Sequence, residues 1–510
     1  MVRWKPGREL TGLVVGMLVA GVVMPFALRD TVSANVAGSS SDVLAPEGSG
    51  GTTGSLAPQP TSPSGGPGGS SGVSGAGTTG GASSRPGVGS GSSTTGGGSS
   101  VTGTTGSAAT GTTGVTGEQP RASDVGITPT TVKIGAMIAD VGSLSGPLGV
   151  NTQDQIDAWN ALVAEQNKRG GFYGRRLTIV FKKFNVLDSS YDTMRAACTS
   201  MAEDEHVFAV VAAAFYADPV ACVTQRYKLP LFDPEGNIEA YYRGAQGRLV
   251  NFTPGLTRGM LNVVWHSNQM GLLKGRTIGV IGPDNPAYAE AIDATVKAIQ
   301  DAGYKVAHVS RISTDLSQSP SQASAEVLAM KSAGVNTLVA GEMPYPWQDQ
   351  AQKQNFFPQY LTSDWGNNAA DWNSRKTSNW AKELDGNIAF TSTNSGDVAA
   401  GVPETAGEKA CAKTVKGGSD RRATAYIGGM GICDIMTVFS AALKAAGVNP
   451  TRATLVAAVP RLQGLHLLAS PGGGSFPAGR SDFGTQLRAI QWHLDCGCFK
   501  AISKYFPAHY

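Results

Sequence analysis

This chain carries no familiar catalytic signature. It contains no HExxH, no phosphate loop ending in GK[ST] and no GxGxxG placed after a strand, so the usual motifs for metalloprotease, nucleotide and dinucleotide chemistry are missing. Its histidines, at 206, 266, 308, 466, 493 and 509, are scattered. No cysteine precedes Cys198, which excludes lipid attachment at an N-terminal cysteine. A formal charge of +3 over 510 residues leaves no basic field for nucleic acid. Charge is also absent from LTGLVVGMLVAGVVMPFAL, Leu10 to Leu28, which follows Arg3, Lys5 and Arg8. A basic start before an apolar run marks residues 1–37 as a signal peptide or an N-terminal membrane anchor. The run is close to the ~18–20 residues a bilayer span needs, and Val32–Ala34 offers a small-residue cleavage site. Cleavage and retention both stay open; either way the chain beyond is extracytoplasmic.

The 67 glycines are unevenly spread. Residues 38–130 are dominated, as far as Gln119, by Gly, Ser, Thr and Pro. Such a composition cannot bury enough apolar surface to offset chain entropy. A disordered linker is expected, with a mean span on the order of 50 Å for ~80 residues. GGSSG at Gly68–Gly72 matches the serine-hydrolase elbow by chance, because that elbow needs a strand before it and a helix after it.

From Thr131 the texture changes. VKIGAMIA (132–139), LTIVFKKF (177–184), FAVVAAA (208–214) and LPLFD (229–233) are short β-prone runs separated by helical patterns. RTIGVIGP (276–283), YKVAHVSRI (304–312), NTLVAGEM (336–343) and QYLTSD (359–364) repeat the rhythm. Strands alternating with helices predict βαβ units and a parallel sheet, here in two tandem α/β lobes. Ligands of such sheets sit beyond the carboxyl ends of the strands. The loops there bring Phe215, Tyr216, Tyr288, Tyr345, Trp347 and Trp365 beside Asp218, Asp233, Glu235, Glu342 and Asp364. An aromatic set with a few polar groups suits a small organic ligand.

In order, VKIGAMIADVGSLSGPLG, NKRGGFYGRRLTIV, VFAVVAAA and GPDNPAYAEA resemble the type I periplasmic binding proteins, in particular the leucine/isoleucine/valine-binding branch. The resemblance covers roughly residues 131 to 500. It implies two Rossmann-like parallel-sheet lobes joined by a three-crossing hinge, a clamshell that closes on its ligand. Lobe 1 would take about 131–253 and 395–484, lobe 2 about 254–394 and 485–510. The crossings would fall near Phe252–Gly255, Ala389–Asn394 and Thr485. It also implies a monomeric solute-binding protein serving an ABC permease, with no enzyme activity, cofactor or metal. The alternative is a membrane-tethered ligand-sensing module without a transporter, in keeping with the long linker and the missing lipid cysteine.

Site roles follow from the same resemblance. Ser143 and Ser145 of the first loop are hydrogen-bonding groups, Tyr288 stacks or bonds from the second lobe, and Asp364 stands where a carboxylate often holds a ligand ammonium. FYADP (215–219) and DPEGN (233–237) depart from the small hydroxyl residues that hold an α-carboxylate in the amino-acid binders. An acid facing a carboxylate is repulsive, which argues against a plain amino acid; the ligand expected is a small molecule, amino-acid-like, an amide or a cationic organic. The six cysteines of an exported chain point to disulfides. Neighbouring helices suggest Cys198–Cys222, a bridge that branch often carries, and Cys411–Cys433, leaving Cys496–Cys498. A metal held by His493, Cys496 and Cys498 is disfavoured, because alternate residues of one short strand face opposite sides. Limited proteolysis of the exported protein should release a resistant fragment that begins near Thr131; a protected fragment reaching back to Pro60 would mean that the linker packs against something.

Overall fold

The computed structural model describes residues 118–140, 152–185, 191–212, 218–234, 236–314, 318–341, 347–363, 383–394, 397, 400–415, 430–477 and 479–509. The Leu10–Leu28 run lies outside them. No helix among the described residues is long and apolar enough to cross a membrane.

The first set of elements is β1 (Thr131–Asp140), α1 (Thr152–Lys168), β2 (Arg176–Asn185), α2 (Asp192–Glu203), β3 (Ala209–Ala212), α3 (Asp218–Ala221), β4 (Leu231–Asp233), α4 (Glu239–Ala245) and β5 (Leu249–Asn251). The second is α5 (Leu256–Gln269), β6 (Ile278–Asp284), α6 (Pro286–Asp301), β7 (Val306–Ser313), α7 (Ser319–Ser332), β8 (Thr337–Ala340), α8 (Trp347–Lys353), β9 (Gln359–Ser363) and β10 (Ile388–Thr391). Then come α9 (Ala406–Val415), α10 (Met430–Ala445) and α11 (Arg452–Ala458), followed by β11 (Gln486–His493), β12 (Cys498–Ala501) and β13 (Phe506–Pro507).

Strands β1 to β5 form a parallel sheet in the order β2-β1-β3-β4-β5. The other sheet runs β12-β11-β10-β9-β8-β6-β7, parallel from β10 to β7, with β11, β12 and β13 antiparallel. The expected two-sheet α/β fold is therefore present. Val132, Ile134, Ala136, Met137 and Ile138 of β1 are all buried, as a parallel strand covered on both faces requires. Phe232 of β4 meets Phe439 of α10 edge-to-face at 5.4 Å, so a helix from late in the chain closes the first lobe. The second lobe has its own cluster around Ile281, Val327, Leu338, Trp347 and Tyr360. Helix α6 begins where local chemistry dictates: Asn285 accepts from the Ala287 amide at 2.9 Å, and Pro286 takes the first turn.

The packed chain starts ahead of β1. Arg175, almost wholly buried, donates to the carbonyls of Arg121 (2.9 Å), Thr128 (2.7 Å) and Val448 (2.6 Å). Ile127 is in the core, so the packed chain reaches back to Arg121 and the resistant fragment is expected to begin there, ahead of Thr131. His493 and Cys498 face one another across the β11–β12 hairpin, with Cys496 in the turn. These residues thus do not share one strand, as their spacing suggested.

Disulfides join Cys198 to Cys222, Cys411 to Cys433 and Cys496 to Cys498. The first ties α2 to the π-helical turn Cys222–Arg226 that continues α3. Closing a sequence separation of 24 is worth roughly 3 kcal/mol in the chain-entropy model. Replacing both Cys198 and Cys222 by Ala should lower the unfolding free energy by about that amount in denaturant titrations; an unchanged midpoint would mean that the bridge constrains nothing.

Candidate ligand-binding site

The two sheets are joined three times. The first crossing runs from Asn251, the end of β5, to Leu256, the start of α5, which packs on α6 and the second sheet. The second leaves β10 at Thr391 and reaches Asn394, whose side chain donates to Glu408 at 2.9 Å. The third enters β11 through Gly484 and Thr485. The first and third lie side by side. The Asn251 amide donates to the Ser481 carbonyl at 2.8 Å, and the Phe483 amide to the Asn251 carbonyl at 3.0 Å. Glycine is required at 484, since a Cβ there would stand 2.7 Å from the Pro254 nitrogen.

An ion pair sits in this seam. Asp482 accepts from the Arg258 guanidinium and from the Gly255 amide at 2.8 Å, and both charged side chains are buried. Nearby, Tyr242 donates to Asn251 Oδ1 at 2.6 Å, and Asn251 Nδ2 donates to the Asp233 carbonyl at 2.9 Å. Burial holds the Tyr242 phenol well above its ordinary pKa, and the Asp482 charge adds to the rise. Burial also raises the Glu239 carboxyl; the Arg258 charge opposes that rise and Asp482 reinforces it. This polar cluster lies at the carboxyl ends of β4 and β5, the end at which ligands of parallel α/β sheets generally sit.

Comparison with known proteins identifies this architecture. Residues 131–492 match the family model described as periplasmic binding protein. The chain belongs to the periplasmic binding protein family. Solved periplasmic binding proteins share the fold at low identity. One is an R. palustris solute-binding protein in complex with 4-hydroxybenzoate (14% identity, 74% of this chain, 97% of that one, TM-score 0.56). Another is a branched-chain amino acid ABC transporter protein from Thermus thermophilus with bound valine (15%, 74% and 96%, 0.54). A third is a fatty acid ABC transporter substrate-binding protein from Thermomonospora curvata (18%, 75% and 94%, 0.54). No curated protein matches the sequence.

Within the periplasmic-binding-protein frame, three of the expected site side chains are described, those of Asp233, Tyr288 and Trp347. Asp233 ends β4 and is fully buried; Tyr288 lies in the first turn of α6 and is 4% exposed. Asp233 and Tyr288 belong to different lobes. Asp218 opens α3, but its side chain lies outside the described residues. So do Ser143, Ser145, Phe215, Tyr216, Glu235, Glu342, Tyr345, Asp364 and Trp365. Trp347 is a correction. It opens α8 in the core of the second lobe, fully buried, with Nε1 donating to Tyr360 Oη at 3.1 Å. It packs against the core that holds Ile281, Val327 and Leu338. Arg258, which follows the first crossing, is paired with Asp482.

Sequence reasoning missed Asn251, Glu239, Asp482 and Ser363. Asp482 and Arg258 are 224 residues apart, so no local pattern links them. Ser363, the last residue of β9, was passed over beside Asp364. Its Oγ is buried and has no hydrogen-bond partner among the described residues. Removing one member of a buried ion pair leaves the other charge uncompensated, at a cost of about 3–5 kcal/mol. Asp482→Ala should therefore destabilise the domain by about that much in chemical denaturation; a loss below ~1 kcal/mol would show that Arg258 finds another acceptor.

Proposed function

We propose that this periplasmic binding protein captures a small organic solute between its lobes and delivers it to an ABC importer. The observation that carries the reading is the arrangement of two parallel sheets on a hinge whose crossings are locked by Arg258 and Asp482. A hinge of this kind lets binding energy favour a closed state over an open one.

The proposed cleft draws Ser143, Ser145, Phe215, Tyr216, Asp218, Asp233 and Glu235 from lobe 1. Lobe 2 contributes Tyr288, Glu342, Tyr345, Asp364 and Trp365, with the buried Ser363 hydroxyl, which has no partner among the described residues, as a further contact. This set is aromatic and acidic and contains no Lys or Arg. Pairing of Arg258 with Asp482 supports that balance, since it sets one guanidinium charge against a carboxylate. The ligand is therefore a neutral or cationic molecule with a flat or apolar body, held by stacking, cation–π and ammonium–carboxylate contacts. The proteins compared above were solved with 4-hydroxybenzoate and valine, and at their identities they support the fold of this reading, not a choice of ligand.

Membrane-tethered sensing is the second reading. It is favoured by the absence of any cysteine before Cys198 and by the Gly/Ser/Thr/Pro-rich stretch after the apolar run. Uptake assays separate the two: deletion abolishes uptake of the bound solute if the protein feeds an importer, and leaves it intact if the protein senses.

Isothermal titration with cationic, neutral, zwitterionic and anionic panels tests the ligand class. Cationic or neutral aromatic compounds should bind and simple dicarboxylates should not, with Asp218→Asn and Asp364→Asn weakening binding about tenfold or more. Tight binding of a leucine-like zwitterion, weakened by Ser143→Ala but not by Asp218→Asn, would restore an amino-acid ligand.

A further inference from the structure

Helix α6 follows β6 in the second lobe, yet its first turns touch the first lobe on both sides of Tyr288. On one side Asn285 Nδ2 donates to the Tyr191 hydroxyl at 3.0 Å. On the other, the Glu290 carboxylate accepts from the amides of Glu239 (2.9 Å) and Ala240 (3.0 Å), which open α4. The same carboxylate accepts from the Thr257 hydroxyl at 3.0 Å and lies 3.4 Å from Arg243 Nη2. A carboxylate on the leading amides of a helix satisfies donors that otherwise have no partner and meets the positive end of the helix dipole.

The two contacts stand at different distances from the hinge. Thr257 and α4 adjoin the first crossing. Tyr191 follows β2, which is four strands from β5 in the first sheet, and its hydroxyl meets Asn285, five residues ahead of Glu290 on the chain; at ~1.5 Å rise per helical residue the two contacts are separated by about 7.5 Å along α6. A rotation about the crossings separates the Tyr191 contact most. Buried apolar side chains continue through the junction, since Tyr288 and Ile292 of α6 share one cluster with Met194, Val220 and Leu231 of the first lobe.

We propose that Asn285 and Glu290 form a closure latch, holding Tyr288 against the first lobe and biasing the clamshell toward the closed state before any solute arrives. They are positioning residues, and the proposal rests on the solute-capture reading above. Charge-assisted bonds are about twice as strong as neutral ones, so Glu290 dominates the latch near the hinge and Asn285 fixes its outer edge. A ligand that binds only the closed state gains affinity in proportion to the fraction already closed.

The test needs no ligand. Nitroxides on non-natural residues at exposed Asp154 of α1 and exposed Leu328 of α7 report the separation of the lobes in the full chain by pulsed electron–electron resonance. The wild type should show a short-distance population. Glu290→Ala should lower the closed-to-open ratio about tenfold. Asn285→Asp, which keeps the acceptor for Ala287 but loses the donor, and Tyr191→Phe should each lower it about three- to fivefold, with melting temperatures little changed. Unchanged distance distributions in all three variants, or a wild type with only the long distance, would overturn the latch. A solute panel in which nothing binds would instead remove the capture reading and leave the distance result intact.

Discussion

The Asp482 carboxylate anchors much of this molecule. It joins two crossings that are remote in sequence, taking the Gly255 amide on one oxygen and the Arg258 guanidinium on the other. Around it the backbone ladder of Asn251 with Ser481 and Phe483 keeps the crossings in register. A buried ion pair is a poor source of net stability, because desolvation offsets much of its attraction. Its value here is geometric. It fixes where one lobe hands the chain to the other, and so fixes the axis about which they can rotate.

Each lobe has packing of its own beside the buried cluster that the two share. The first closes over α10 through Phe232 and Phe439, with Cys198–Cys222 and Cys411–Cys433 tying adjacent helical segments. The second closes around Trp347 and Tyr360. Behind the second crossing, burial pushes Asp434 up to about 7 against two backbone hydrogen bonds from Leu468 and Ala469, with Glu408 adding to the rise. Glu408 of α9 accepts from the Asn394 side chain after β10, and Asp434 of α10 holds Leu468–Ala469, whose Ala469 carbonyl accepts from the Asn394 amide.

Much of this was legible in the sequence. The β-prone runs at 132–139 and 276–283 and the helices between them were readable because alternation of short apolar strands with amphipathic helices has few other solutions. The short elements were not. Helix α4 and strand β5, Glu239–Ala245 and Leu249–Asn251, are too brief for periodicity to stand out, and tertiary contacts stabilise them. Trp347 was misplaced because an aromatic after a strand reads alike whether it faces a cleft or a core; its bond to Tyr360 depends on a strand not yet positioned. His493 and Cys498 read as neighbours on one strand because the turn between them carries only one glycine, Gly497.

By itself the sequence determined the class of fold, the tandem lobes, the non-globular composition ahead of them and the acidic, aromatic character of the strand-end loops. These are matters of local pattern and composition. Only the tertiary structure decided that Arg258 belongs to Asp482, that Glu290 reaches the amides of α4, and that Trp347 is core. Each of those pairings joins groups on separate elements, and α5, α6 and β11 have to be packed before the partners come within hydrogen-bonding reach. Short-range propensity carries no information about that encounter.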